Sequence, residues 1–76
     1  MVWDFVMKIG QNIRRLREAR NLSQWELAAR LQVRGCDITR SALAKMEVGQ
    51  RHIYCDEIYL LKDILSAEYN DFFHEE

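Results

Sequence analysis

A chain of 76 residues allows one domain with one small core, and hides only about 60–65% of its unfolded surface on folding. With 49% hydrophobic residues, 30% charged, three glycines and no proline, it reads as a helical globular protein and not as a turn-rich β fold. Its formal net charge of −1 argues against a polyanionic partner only until it is mapped: Lys8 to Arg51 carry ten basic residues against four acids, a local +6, and His52 to Glu76 carry Lys62 against seven acids, a local −6. Asp4 supplies the remaining −1, so the basic first two-thirds is the part suited to a negative partner.

Apolar residues recur at helical spacing almost throughout. Ile9, Ile13 and Leu16 form one stripe, which Phe5 extends backward by four residues, and this first helix ends near Arg20-Asn21. Asn tolerates the left-handed conformation that closes a helix. Ser23 and Glu26 then stand in the S-x-x-E relation of a capping box, with Leu22 and Leu27 at the positions of a hydrophobic staple. A second helix therefore runs from Gln24 to Gln32 or Val33.

Arg34-Gly35-Cys36-Asp37 reads as a connection in which Gly35 is free to take a positive φ. Thr39 as N-cap puts Ile38 and Leu43 in a second staple, and Asp37 is a competing cap two residues earlier. The third helix buries Leu43 and Met46 and stops at Gly49. A fourth covers about Asp56 to Leu65, with Ile58, Leu61 and Leu65 inward and Asp56-Glu57 complementing its N-terminal dipole. A last short helix holds Tyr69, Phe72 and Phe73. The expected fold is all-α, five short helices around one core in a single domain spanning 1–76.

Two short capped helices with a brief connection make a helix-turn-helix candidate. Leu22-Ser23-Gln24-Trp25-Glu26-Leu27-Ala28, followed in order by Lys45-Met46-Glu47-Val48-Gly49, carries a specific resemblance. Residues 9–73 resemble the phage repressor/Cro-like (XRE-type) DNA-binding domain, and 1–8 form an N-terminal extension to that match. Ile13-Arg14-Arg15-Leu16-Arg17 and Leu65 to Phe72 fall where the family has its first and last helices. The resemblance implies a lambda-repressor-like fold. Leu27 and Glu47 stand about five residues further apart than is usual in the family, which lengthens the turn between helices 2 and 3 around Arg34–Ile38. Ile53 and Tyr54 replace the family's usual proline and small cap before helix 4.

What the resemblance implies can be set against groove chemistry. A helix fits the B-DNA major groove, and residues near its N-terminus reach base edges. Arg40, Ser41, Ala42 and Lys45 are the candidate base contacts: Arg40 can bond guanine bidentately, Ser41 suits either base type, Ala42 can touch a thymine methyl, and Lys45 can reach guanine or a phosphate. Gln24, at the start of helix 2, has a backbone-contact role in the resembled family, and amides at that helix end favour phosphate. Thr39, Gln50, Arg51 and Arg34 are further phosphate candidates, contacts that set register without reading sequence. In the family, residues matching Arg17 and Glu47 form a structural ion pair joining helices 1 and 3. Trp25 either lies along the DNA backbone or packs against the long turn, and packing is preferred.

Other chemistries find less support. Cys36, His52, Cys55 and His74 lack a C-x-x-C pair or any usual zinc-finger spacing, so no metal or other cofactor is expected. Cys55 matches an apolar family position and is expected in the core. No nucleophile motif is present, and five short helices leave little room for a pocket, so neither catalysis nor a small-molecule ligand is expected. No apolar run approaches the ~18 residues of a membrane span. The opening seven residues lack a signal-peptide pattern, and with only two cysteines the expected location is the cytoplasm, the chain being bacterial or phage-encoded by its resemblance.

The reading is thus a transcriptional regulator of repressor type that binds double-stranded DNA sequence-specifically, through helix 3, as a homodimer on two half-sites about 34 Å apart. Its rival is an antitoxin or adaptor acting through protein contacts of the acidic C-terminal third, with Tyr59, Tyr69, Phe72 and Phe73 as the surface. Trp3, Phe5 and Val6 either cover the core or join a dimer interface.

Overall fold

The computed structural model describes residues 2–75, with side chains from Phe5 to Glu75; the side chain of Trp3 lies outside the described residues. Five α-helices follow in order: α1 Val2–Ala19, α2 Gln24–Val33, α3 Arg40–Glu47, α4 Cys55–Ile64 and α5 Tyr69–Phe72. Residues 2–8 form the first turns of α1. The described residues contain no strand.

Four of these helices end in the same way. A backbone N–H two residues past the cap bonds back five residues, and the preceding N–H bonds back three, so that orphan carbonyls of the last turn are satisfied. The pairs are Leu22 to Arg17 with Asn21 to Glu18, Cys36 to Leu31 with Gly35 to Gln32, Gln50 to Lys45 with Gly49 to Met46, and Ala67 to Lys62 with Ser66 to Asp63. Each closure needs one residue in the left-handed region. Gly35 takes it at φ 86°, where a side chain would be strained, whereas Asn21 and Ser66 take it at 57° and 52° despite having a Cβ. In three of the four, the residue after the left-handed one turns back onto the core: Leu22 and Ala67 are buried and Cys36 is half-buried.

The core is one cluster drawn from every helix: Ile9 and Ile13 of α1, Leu27 and Leu31 of α2, Leu43 and Met46 of α3, Leu61 and Leu65 of α4, and Phe72 of α5. Both staples close onto it, since Leu22 and Leu27, and Ile38 and Leu43, are all buried. The α1 stripe differs in phase from its sequence reading. Val6 is buried and Phe5 is 47% exposed, because Val6, Ile9 and Ile13 are the residues at three- and four-residue spacing that meet the other helices, leaving Phe5 at the stripe's margin. Cys55 also departs from expectation. It is exposed, because it occupies the first position of α4 and the inward positions of that helix begin at Glu57.

Two long-range contacts set the pose of α1. At Gly10, α1 comes so close to the end of α3 that a Cβ would be driven into the Met46 carbonyl and within 3.1 Å of Glu47 backbone atoms. Asn12, buried, donates its amide to the carbonyls of Phe72 (2.8 Å) and His74 (2.9 Å) and so pins the end of α5 to α1. Every buried side-chain nitrogen or oxygen among the described residues has a partner, as a small core requires.

Candidate nucleic-acid interface

The N-termini of α2 and α3 are each built by a local cap. Ser23 Oγ accepts the Glu26 N–H at 3.0 Å, and Glu26 Oε1 accepts the Ser23 N–H at 2.7 Å. These bonds from Ser23 hold the Glu26 carboxyl below its ordinary range. Thr39 Oγ1 accepts the Ala42 N–H at 3.1 Å, so α3 starts at Arg40 and Thr39 is the cap, not Asp37. The lengthened turn between them is ordered by its own contacts. Gln32 Nε2 donates to the Ile38 carbonyl at 3.1 Å, and Ile38 is only 2% exposed, which fixes the entry to α3 from below.

The caps place the candidate base contacts on one accessible face. Arg40, Ser41 and Lys45 are exposed and Ala42 is half-buried, while Leu43 and Met46 turn inward. Ala42 and Ala44 keep the helix slim. Thr39 and Gln50 flank α3 at either end and are exposed.

The remaining candidates are engaged with other parts of the chain. Gln24, half-buried, donates Nε2 to Glu47 Oε1 at 3.0 Å. Glu47 is also gripped by Arg17, Nε to Oε2 at 2.7 Å and Nη2 to Oε1 at 3.0 Å, and Arg17 Nη1 reaches the Leu22 carbonyl at 2.8 Å. This pair is almost wholly withdrawn from solvent, and hydrogen bonding to Glu47 raises the Arg17 pKa further. One buried carboxylate thus ties α1, the start of α2 and the end of α3 together, and fixes the angle at which the two capped helix ends are presented.

Arg34 is exposed and paired with Asp63 of α4 at 2.7 Å. Arg51 bonds both oxygens of Glu57 at 2.9 Å through Nη1 and Nη2, which keeps its own pKa high. Burial pushes the Glu57 carboxyl up, but the Arg51 hydrogen bonds, the Tyr54 N–H and the Arg51 charge together outweigh it, so the group sits below its ordinary range. This ion pair, with Glu57 Oε1 accepting the Tyr54 N–H at 3.0 Å, starts α4 in place of a small capping residue.

Sequence reading placed Trp25 against the turn. It is instead 71% exposed, with the Arg40 guanidinium carbon 5.9 Å from its ring centroid. The clue lay in the helical wheel: Leu27, Ala28 and Leu31 are the buried residues of α2, and Trp25 falls outside their stripe.

Neither a metal centre nor a membrane span emerges. The described residues hold no group of three or more His, Cys, Asp or Glu placed to bind a metal ion, and no helix long and apolar enough to cross a membrane.

Comparison with known proteins agrees with this geometry. A family model described as helix-turn-helix matches residues 13–53, which take in α2, the turn and α3. Among solved structures, the restriction-modification controller protein C.AhdI from Aeromonas hydrophila is similar along nearly the whole chain, with a TM-score of 0.80 and 34% identity over 93% of this chain and 96% of that one. No curated protein sequence matches.

Proposed function

Since this chain belongs to the XRE-type helix-turn-helix family and is a DNA-binding transcriptional regulator, we propose that it reads duplex DNA sequence-specifically by laying α3 in the major groove. Arg40, Ser41, Ala42 and Lys45 face base edges. Gln24, Thr39, Gln50, Arg34 and Arg51 meet phosphates on either side, and Arg17–Glu47 holds the frame without touching DNA. The observation that carries the reading is the exposed polar face of α3 beginning at a capped N-terminus beside the capped start of α2. Charge supports it, because the +6 segment from Lys8 to Arg51 contains every one of these residues.

The antitoxin or adaptor reading is not favoured by either comparison. The regulator acts in the cytoplasm as a repressor-type homodimer on two half-sites, because one head this small meets too few bases for tight operator binding. Phe5 and Phe73, stacked with centroids 5.8 Å apart and both part-exposed, supply apolar surface that a second copy would cover. Since the similar C.AhdI is a restriction-modification controller, the genes controlled here are of that kind. No catalytic step is assigned.

The test is selection of duplexes from a randomised pool, followed by titration of the selected duplex and bulk DNA at two salt concentrations. The selected duplex is expected to bind at least 10³-fold tighter than bulk DNA, and both affinities to fall steeply with salt. If no duplex is preferred over bulk DNA, sequence-specific reading is wrong.

A further inference from the structure

Arg40 opens α3 and is the side chain best suited to guanine, yet among the described residues no carboxylate pairs with it. Its guanidinium lies over an indole instead. Trp25 is the second residue of α2, it is 71% exposed, and the Arg40 guanidinium carbon lies 5.9 Å from the ring centroid, within range of a cation–π contact. The ring is no part of the core cluster, so its face is open to Arg40.

We propose that Trp25 is a positioning residue for sequence reading: its indole face holds the Arg40 guanidinium in place on the free protein, so that Arg40 meets a guanine already oriented. The proposal rests on the reading that α3 enters the major groove. The chemistry favours orientation over sequestration. A ring binds the face of a guanidinium, whereas hydrogen bonds to guanine O6 and N7 use its edge N–H groups, so the stack leaves the fork free. A carboxylate in the same place would bind that edge and have to be displaced. Arginine otherwise loses much rotamer freedom when it docks, and a ring that has already restricted it lowers that cost on binding. The contact also links the N-terminal turn of α2 to that of α3, so the phosphate-facing and base-facing helix ends share one side-chain bridge across the lengthened turn.

The opposing possibility is that Trp25 lies on the sugar-phosphate backbone and strengthens binding to every sequence alike. Two measurements separate them. With the duplex selected by the wild-type protein, and the same duplex with the guanine read by Arg40 replaced by adenine, Trp25→Ala should lower the guanine preference by about three- to fivefold and leave binding to the replaced duplex unchanged. Trp25→Phe should restore most of the preference, and in an Arg40→Ala background Trp25→Ala should have no further effect. Equal weakening on both duplexes, or effects that multiply with Arg40→Ala, would overturn the proposal while leaving groove reading by α3 intact. Failure of the wild-type protein to select any duplex would overturn both. The second measurement needs no DNA. In the free wild-type protein, the Arg40 side-chain methylene protons should show an upfield ring-current shift that Trp25→Ala abolishes, and an unshifted resonance would overturn the proposal. Trp25 is exposed, so both variants should fold, as their circular dichroism would show.

Discussion

Arg17 of α1 and Glu47 of α3 meet through two nearly parallel hydrogen bonds, Nε to Oε2 at 2.7 Å and Nη2 to Oε1 at 3.0 Å, with the carboxylate side chain only 1% exposed. A buried ion pair of this kind holds geometry more than it adds stability, since desolvation offsets much of the attraction. What makes it matter is the third partner, because Gln24 donates to the same carboxylate. Three helices converge on one acidic group.

Removing one side of that pair should therefore be far worse than removing both. Arg17→Met strands a buried carboxylate and is expected to cost about 3–5 kcal/mol in a urea unfolding titration. The double variant Arg17→Met/Glu47→Leu should recover a large part of that loss, because no uncompensated charge remains. Equal losses in the single and double variants would mean that the helices depend on the pair's hydrogen bonds more than on charge balance.

Ser66 offers a gain in stability. It closes α4 at φ 52°, a conformation that crowds a Cβ, and its side chain is exposed. The bonds it makes use only backbone: its N–H to the Asp63 carbonyl, and its own carbonyl accepting Arg20 Nη2 at 3.0 Å. Ser66→Gly should keep these, relieve the strain, and stabilise the protein by up to about 1 kcal/mol after the extra chain entropy of glycine is subtracted. A higher urea midpoint with an unchanged m-value is the expected result, and a lower midpoint would show that Ser66 is unstrained.

Local signals carried the helix ends. The Ser23–Glu26 box, the Thr39 cap and the two staples each act within five residues, so they are readable from spacing alone, and α2 runs over the residues expected. The phase of α1 was harder. Phe5 and Val6 are neighbours of similar apolarity, and only the position of the other helices decides which one is buried. The same holds for Cys55, whose exposure follows from α4 starting one residue earlier than its charges suggested. At the candidate interface, a sequence can nominate Arg40 and Trp25 by residue type, but their contact spans 15 positions and a turn of unusual length. Asn12 is further out of reach, since its partners lie 60 and 62 residues away.

Glu57 should make stability fall in acid. Its carboxyl is held below the ordinary glutamate pKa of about 4.3, so it contributes stability in full above that value, and the contribution is lost as pH falls through the lower, folded-state pKa. Glu26 is shifted the same way by the Ser23 cap, so the variant must be compared with the wild type at each pH. Glu57→Gln is expected to be less stable near neutrality and to lose less between about pH 5 and pH 2. Parallel stability–pH curves for the two proteins would remove Glu57 from the acid transition.

The same ion pair decides how Arg51 can serve DNA. Three of its five N–H donors are committed at 2.9 Å, Nη1 to Glu57 and the His52 carbonyl and Nη2 to Glu57, so a phosphate must be met by the Nε–H, the second Nη2–H and charge. Arg51→Ala is therefore expected to do two separable things. It should flatten the dependence of log K on log salt by about 0.9, the contribution of one phosphate contact, and it should destabilise the fold by leaving the buried Glu57 without its partner. Glu57→Gln should also destabilise, yet leave the salt slope unchanged because the cation remains. Slopes from duplex titrations at four salt concentrations separate the roles: if Arg51→Ala keeps the wild-type slope while losing stability, Arg51 serves α4 alone, and Gln50 with the α2 N-terminus must carry the phosphate contacts on that flank.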